Sequence, residues 1–225
     1  METLPVITID GPSGSGKGTI SQLLSIELGW NILDSGALYR TLAYYMEING
    51  INLANFLDNL NKIKKDFNIS FISDDLYEPV KVILNSEDIT AKIRTEEIAK
   101  KTSDIASSKL IRTFIKPCQR AFLVLPGLIA DGRDMGTVIF PDAFLKIYLT
   151  ASHEERTKRR YSQLKTKGTK VNMRSLSEDL ERRDDRDITR KNSPLSAAKD
   201  AIVIDTTSIE PEAVIKKIIK LINKP

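Results

Sequence analysis

The sequence predicts an α/β protein: a parallel five-stranded sheet with helices on both faces, interrupted by a small antiparallel insert. Three observations predict it. Five short apolar runs alternate with segments of helical periodicity. A glycine-rich stretch, Gly11-Pro12-Ser13-Gly14-Ser15-Gly16-Lys17-Gly18-Thr19, separates the first such run from the first helix. Two further strand-like runs, joined by turn-forming residues, sit between helical segments in the first half of the chain.

The elements follow in order. Val6-Ile7-Thr8-Ile9 is a β-branched strand, and Ile20 to Leu28 an amphipathic helix that Gly29 closes. Asn31-Ile32-Leu33 is a second strand. It ends at Asp34-Ser35-Gly36, and a helix restarts through Ala37-Leu38-Tyr39-Arg40, with Leu38, Leu42, Tyr45 and Met46 at helical spacing and Gly50 as its stop. Leu53 to Lys65 reads as a weak helix with Leu53, Phe56, Leu57, Leu60 and Ile63 on one side. Ile69-Ser70-Phe71-Ile72 and Val80 to Leu84 are the strands of the insert. Ser73-Asp74-Asp75 and Glu78-Pro79 lie between them, and Asn85-Ser86-Glu87-Asp88 is a turn cluster after them. Helix resumes near Thr95 with Glu96 and Glu97 in its first turn.

A further helix spans about Ser108 to Leu125. Its apolar stripe is Leu110, Ile111, Phe114, Ile115, Cys118, Ala121 and Phe122, and Pro117 predicts a kink or break. Leu128-Ile129-Ala130 and Phe144 to Leu149 are the next strands. Ser152 and Glu155 form a capping box that opens a strongly basic helix carrying Arg156, Lys158, Arg159, Arg160, then Lys165, Lys167 and Lys170 around Gly168. A helix from about Ser177 to Asp187, a fifth strand Ala201 to Ile204, and a last helix from Glu210 with Pro211 in its first turn complete the chain.

At 225 residues, with 41% hydrophobic and 28% charged residues, the chain suits one globular domain with room for a subdomain. No apolar run approaches the length of a membrane span, and the N-terminus lacks the pattern of a signal peptide. A single cysteine, Cys118, leaves no internal disulfide and no zinc cluster, so a cytoplasmic location is expected, with Cys118 read as a small core residue. One histidine, His153, argues against histidine-based catalysis and reads as an exposed residue of a first helical turn. The net charge of +4 is a mild bias toward polyanionic ligands.

The glycine-rich stretch carries the chemistry. Strand, glycine turn and helix make a phosphate cradle: the backbone N–H groups and the positive end of the helix dipole point at the anion, and Lys17 adds a full charge. The spacing from Gly11 to Lys17 fits G-x-x-x-x-G-K, but Gly18 stands where Ser or Thr is expected, with Thr19 one place later. Four strand ends carry polar residues, Asp10-Gly11, Asp34-Ser35, Asp131-Gly132-Arg133-Asp134 and Asp205-Thr206. In a parallel sheet all four belong on one edge beside the loop. Phosphoryl transfer needs positioned reactants and concentrated positive charge, and the chain holds a reserve of arginines at Arg40, Arg94, Arg112, Arg133, Arg156, Arg160, Arg183 and Arg190.

Gly-Lys-Gly-Thr in the loop resembles the nucleoside monophosphate kinases of the P-loop kinase superfamily. Leu33 to Arg40, Gly127 to Thr137 and Arg183-Asp184-Asp185-Arg186-Asp187 resemble bacterial cytidylate kinases in particular, over nearly the whole chain. The resemblance implies one domain, residues 1–225, with a core at 1–36 and 104–225, a monophosphate-binding insert at about 37–103 and a helical lid at about 156–172. It implies transfer of the γ-phosphate of ATP to CMP or dCMP, in pyrimidine nucleotide metabolism, with Mg2+ arriving on ATP rather than at a direct protein site, and a monomer with no nucleic-acid or membrane partner.

By that resemblance Gly11, Pro12, Ser13, Gly14, Ser15, Gly16, Lys17, Gly18 and Thr19 bind ATP, with Arg156 and Arg160 in the lid. Arg40 and Arg133 hold the acceptor phosphate. Ser103, Arg112 and Asp134 read cytosine, Ser35 and Tyr39 line its pocket, and Arg183 and Asp187 contact the sugar. Lys17, Arg133 and Arg190 serve the transferred group. Three other readings remain open at this point: a kinase of the same fold acting on AMP or a metabolite alcohol, a GTP-binding switch, and a nucleic-acid module using the basic helix. The second is disfavoured because Asn61-Lys62-Ile63-Lys64 lacks the Asp of a guanine reader.

Overall fold

The computed structural model describes residues 4–73, 79–166, 168 and 171–223. Asp74, Asp75, Glu78, Lys167 and Lys170, named above in the insert turn and the basic segment, lie outside the described residues.

The core is a five-stranded sheet of β1 (Val6–Asp10), β2 (Asn31–Asp34), β6 (Leu128–Gly132), β7 (Leu145–Thr150) and β8 (Ile202–Asp205). Every strand pair is parallel, and the order is β2-β6-β1-β7-β8. The central strands Val6–Asp10 and Leu128–Gly132 are buried on both faces, which explains why these runs are continuously apolar instead of alternating, while the edge strand Ile202–Asp205 leaves Val203 exposed. Ile7, Ile9, Ile129, Ile147, Leu149 and Ile204 pack on one face with α1 (Lys17–Leu28) and α8 (Pro211–Ile222). Val6, Leu33, Leu128 and Ala130 pack on the other with α2 (Ser35–Ile48) and α5 (Lys109–Arg120). The odd–even split along β1 and β6 is the two-residue period of a strand serving two cores.

The insert is a three-stranded antiparallel sheet: β3 (Ile69–Ile72), β4 (Lys81–Leu84) and β5 (Glu87–Asp88). Its third strand falls in what the sequence presents as a turn cluster. Asn85 and Ser86, both with left-handed φ, turn the chain so tightly that Glu87 and Asp88 pair back on β4. A 3-10 turn at Lys92–Arg94 leads to α4 (Glu96–Ala106), capped by Thr95, whose hydroxyl accepts from Ile98 N. Then come α6 (His153–Thr166) and α7 (Met173–Thr189), packed side by side.

Four expectations change. The helix expected over Leu53 to Lys65 forms only as α3 (Leu60–Asp66). Asn52 and Asn55 side chains capture the N–H groups of Ala54, Asn55 and Asn52, so 53–59 stays in turns and Leu53 and Leu57 are exposed. The helix expected to reach Leu125 ends at Arg120. It neither breaks nor stops at Pro117, whose carbonyl accepts from Ala121 N, and Ala121 is exposed. The capping box is half made: Ser152 Oγ accepts from Glu155 N, but the Glu155 carboxylate turns to Arg159 and Ser152 N donates to Thr207. His153 is half-buried, hydrogen-bonded to Ser177 on α7 at 2.7 Å.

Candidate active site

The parallel register brings the polar strand ends together. Asp34 lies opposite Asp131, and Asp10 opposite Gly132. Beyond this edge opens a cavity of about 1150 Å3.

The phosphate loop closes one end. Gly11 (φ 148°) lies so close to the neighbouring strand that a Cβ there would sit 2.0 Å from Leu149 O, and Gly14 (φ 78°) lies against Arg156, so no other residue fits either position without strain. Ser15 Oγ donates to Pro12 O, and Thr206 Oγ1 donates to Ser15 O, which ties the loop to the end of β8. Lys17 Nζ donates to Pro12 O at 2.7 Å, folded across the loop it serves. Burial, reinforced by Arg133, pulls the Lys17 ammonium down to about 7, against the attraction of Asp131. Burial pushes Asp131 up to about 7 in turn.

The next feature follows β6. Asp10, at the end of β1, accepts from Met135 N and Gly136 N at 2.8 Å each, and burial lifts its pKa to about 6 despite those bonds. It thereby caps a single π-type turn, Met135–Ile139, and the two residues before that turn, Arg133 and Asp134, are aimed into the cavity. Arg133 Nε donates to Asp187 at 3.0 Å. Burial opposes the charge of both, yet Asp187 and Asp131 hold the guanidinium charged, and Arg133, Arg183 and Arg190 hold the Asp187 carboxyl below its usual range. Arg183 is half-buried, and desolvation together with the like charge of Arg133 pulls it down to about 10.

At the far end Arg112 makes a buried ion pair with Asp134, donates to Ala106 O at 3.2 Å, and stands 5.9 Å from the centre of the Tyr39 ring. Burial pushes the Tyr39 phenol up to about 12. Ser35 is fixed by Gln119 Nε2 at 2.8 Å, and Ser103 lines the wall from α4. An aromatic face with a fixed carboxylate and guanidinium at its edge suits a flat heterocycle that offers both donors and acceptors.

Ser13, Lys17, Ser35, Tyr39, Arg40, Ser103, Arg112, Arg133, Asp134, Arg160, Arg183, Asp187 and Arg190 all line this one cavity. Gly11, Pro12, Gly14, Ser15, Gly16, Gly18 and Thr19 do not. They form the loop behind it and the first turn of α1. Arg156 is also set back: its guanidinium donates to Ala151 O and Ser13 O and pairs with Asp184, which places it under the loop. Arg160 instead reaches across to Glu96 of α4 at 2.6 Å.

Sequence reading missed Gln119, Asp184 and the anchoring role of Asp10. For the first two a signal exists: each falls four residues after a buried apolar residue, Ile115 or Leu180, on the buried stripe of its helix. For Asp10 none exists, since its partners lie 125 residues away.

A phosphate loop after the first strand of an all-parallel sheet, facing an arginine-rich cavity at the strand ends, defines an enzyme of the P-loop kinase class. The cytidylate kinase family model matches residues 7–224, and the chain belongs to that family. It is 48% identical to the cytidylate kinase of Pseudomonas aeruginosa (strain LESB58), over 96% of this chain and 94% of that one. It is equally identical to those of Stutzerimonas stutzeri (strain A1501), over 97% and 95%, and Azotobacter vinelandii (strain DJ / ATCC BAA-1303), over 95% and 93%. Among the described residues no helix is long and apolar enough to cross a membrane.

Proposed function

We propose that the protein transfers the γ-phosphate of ATP to CMP or dCMP, releasing ADP and CDP or dCDP. The observation that carries this reading is the buried Arg112–Asp134 pair beside Tyr39, across one cavity from Lys17 and the phosphate loop. Asp134 accepts from the cytosine amino group while Arg112 donates to O2 or N3. Ser35, Tyr39 and Ser103 complete the base pocket, Arg183 and Asp187 hold the sugar, and Arg40 and Arg133 hold the acceptor phosphate.

An oxygen of the acceptor phosphate attacks the γ-phosphorus in line. The bond to the β–γ bridging oxygen breaks, and the electron pair leaves on ADP. The acceptor phosphate is already anionic, so no general base is required. The residues supply position and charge: Lys17, Arg133 and Arg190 surround the moving group. Arg156 steadies the loop from below and Arg160 covers the nucleotide from the 156–172 lid, with 37–103 as the acceptor-side insert. Closure of both excludes water and suppresses ATP hydrolysis.

Asp131 and Asp34, hard oxygen donors at adjacent strand ends near Lys17, fit Mg2+ held mainly by the nucleotide's phosphates. When bound, the ion neutralises charge on the β- and γ-phosphates. Among the described residues no group of three metal-ligating side chains forms a site of its own.

Acceptor-dependent ADP release with CMP, dCMP, UMP and AMP tests the reading. Rapid turnover with CMP and dCMP is expected. Turnover with AMP matching that with CMP overturns it. The enzyme is expected to act as a cytoplasmic monomer, without nucleic-acid or membrane partners.

A further inference from the structure

We propose a second anion site, behind the base pocket, that takes the oligophosphate group of a small ligand. It is a cleft of about 270 Å3 between α5 and the loop 191–193. Lys109, Arg112 and Lys116 project from α5, Lys191 and Asn192 face them from the loop, and no carboxylate lines the cleft among the described residues.

The charge pattern of α5 and the fixed opposing loop both point to an anion. Over its whole length α5 carries four cations, Lys109, Arg112, Lys116 and Arg120, and not one acid. Lys109, Arg112 and Lys116 fall three and four residues apart on one face, where like charges repel. Lys109 is also the first residue of the helix, at the positive end of its dipole, where a cation is unfavourable. Of the four cations of the cleft only Arg112 has a carboxylate partner among the described residues, Asp134 on its far side. The opposing loop is held in place: Ser193 takes a left-handed φ of 52°, and its carbonyl accepts from Arg190 Nε at 2.5 Å. A non-glycine residue held in that conformation is strained, which fits a preformed wall better than an idle loop.

Size restricts the occupant. The cleft falls below the roughly 300 Å3 of a site for a whole drug-sized ligand. It accommodates a di- or triphosphate group, free or as the tail of a nucleotide. Tyr39 and Arg112 line both this cleft and the main cavity. An anion here draws Arg112 away from Asp134 and weakens acceptor binding, a consequence that rests on the base-reading role proposed above.

Calorimetric titration of the full chain with inorganic tripolyphosphate, in magnesium-free buffer, tests the site. Wild type binds at the phosphate loop, at the acceptor-phosphate arginines Arg40 and Arg133, and at this cleft. Lys17→Ala removes the phosphate-loop site, and Lys17→Ala/Arg40→Ala/Arg133→Ala retains the cleft alone. The cleft variant Lys109→Ala/Lys116→Ala/Lys191→Ala weakens the cleft site by about ten-fold or more, with unchanged circular dichroism and unchanged basal turnover. Tripolyphosphate raises the acceptor KM several-fold more in wild type than in the cleft variant, where only direct competition at Arg40 and Arg133 remains. Comparing ATP with tripolyphosphate on Lys17→Ala/Arg40→Ala/Arg133→Ala separates the sources: equal affinity assigns free oligophosphate, tighter ATP assigns a nucleotide tail. An isotherm that the cleft substitutions leave unchanged, or no remaining site in Lys17→Ala/Arg40→Ala/Arg133→Ala, overturns the proposal. So does a single-stranded oligonucleotide that binds the cleft more tightly than tripolyphosphate, which makes it a nucleic-acid surface. Loss of the kinase reading shows only in the turnover assay, since the calorimetry needs no reaction.

Discussion

In the proposed function Asp134 meets the base at the position where cytosine and uracil differ. Cytosine offers an amino donor, uracil a carbonyl, which sets acceptor against acceptor in a buried site. Polar pairing of this kind discriminates by roughly 10⁴-fold, so kcat/KM for UMP is expected to fall that far below the value for CMP. Similar values for the two would remove Asp134 and Arg112 from base reading. Lys17 makes a second prediction. In the free protein burial holds its pKa near 7, while the unfolded value is 10.5. The unfolded chain therefore binds more protons between those limits, and this group adds stability as pH rises through that window. ATP phosphates beside Nζ favour its charged form, so binding at pH 8 takes up about one proton. Calorimetry in two buffers of different ionisation enthalpy reads that uptake, and Lys17→Met should abolish it. A wild-type enthalpy independent of buffer would place Lys17 away from the phosphates.

At the scale of elements, the π-type turn after β6 is where fold and site meet. It sets Arg133 and Asp134 on the wall of the cavity, where the proposed function has them hold phosphate and base, and it hangs on the two hydrogen bonds to Asp10. Asp10→Ala leaves two buried N–H groups unpaired, at about 1–3 kcal/mol each. The expected result is a less stable protein whose acceptor KM rises more than its ATP KM. An equal rise in both would mean that Asp10 serves the loop as a whole. The helix caps are simpler. Asn172 accepts from Arg174 N and Ser175 N at the start of α7, and Asn172→Ala should cost about 1 kcal/mol in denaturant unfolding with little effect on turnover. The strand–loop–helix of the first 28 residues was legible because every signal in it is local. The 53–59 turns were not, since helical spacing of Leu53, Phe56 and Leu57 competed with two asparagines whose side chains reached the backbone first.

Across the whole molecule, loop, strand ends and the α4 and α6 walls surround one space, so ligand and fold stabilise each other. Saturation at 100 times Kd adds about 2.7 kcal/mol for each ligand, which corresponds to roughly 5–10 °C in Tm for a chain of this size. ATP and CMP are each expected to raise Tm by that order in wild type. In Lys17→Ala the ATP shift should shrink while the CMP shift persists. Loss of both shifts would show that the substitution damages the fold and not the phosphate subsite. The exposed Arg160–Glu96 pair contributes under about 1 kcal/mol to stability by itself. It links α6 to α4 beside the cavity.

The parallel sheet, the phosphate loop and the family can be read along the chain, because β-branched runs, glycine spacing and Asp131 to Thr137 are each contained in a few adjacent residues. Which charges share a space depends on how the folded chain packs. Packing set Arg156 beneath the loop and Arg160 over the cavity, four residues apart on one helix. It joined Asp10 to Met135 and Gly136, and Gln119 to Ser35, across separations of 84 residues or more. Pairing over such distances follows from strand register and helix packing, and these are settled by burial of both sheet faces at once.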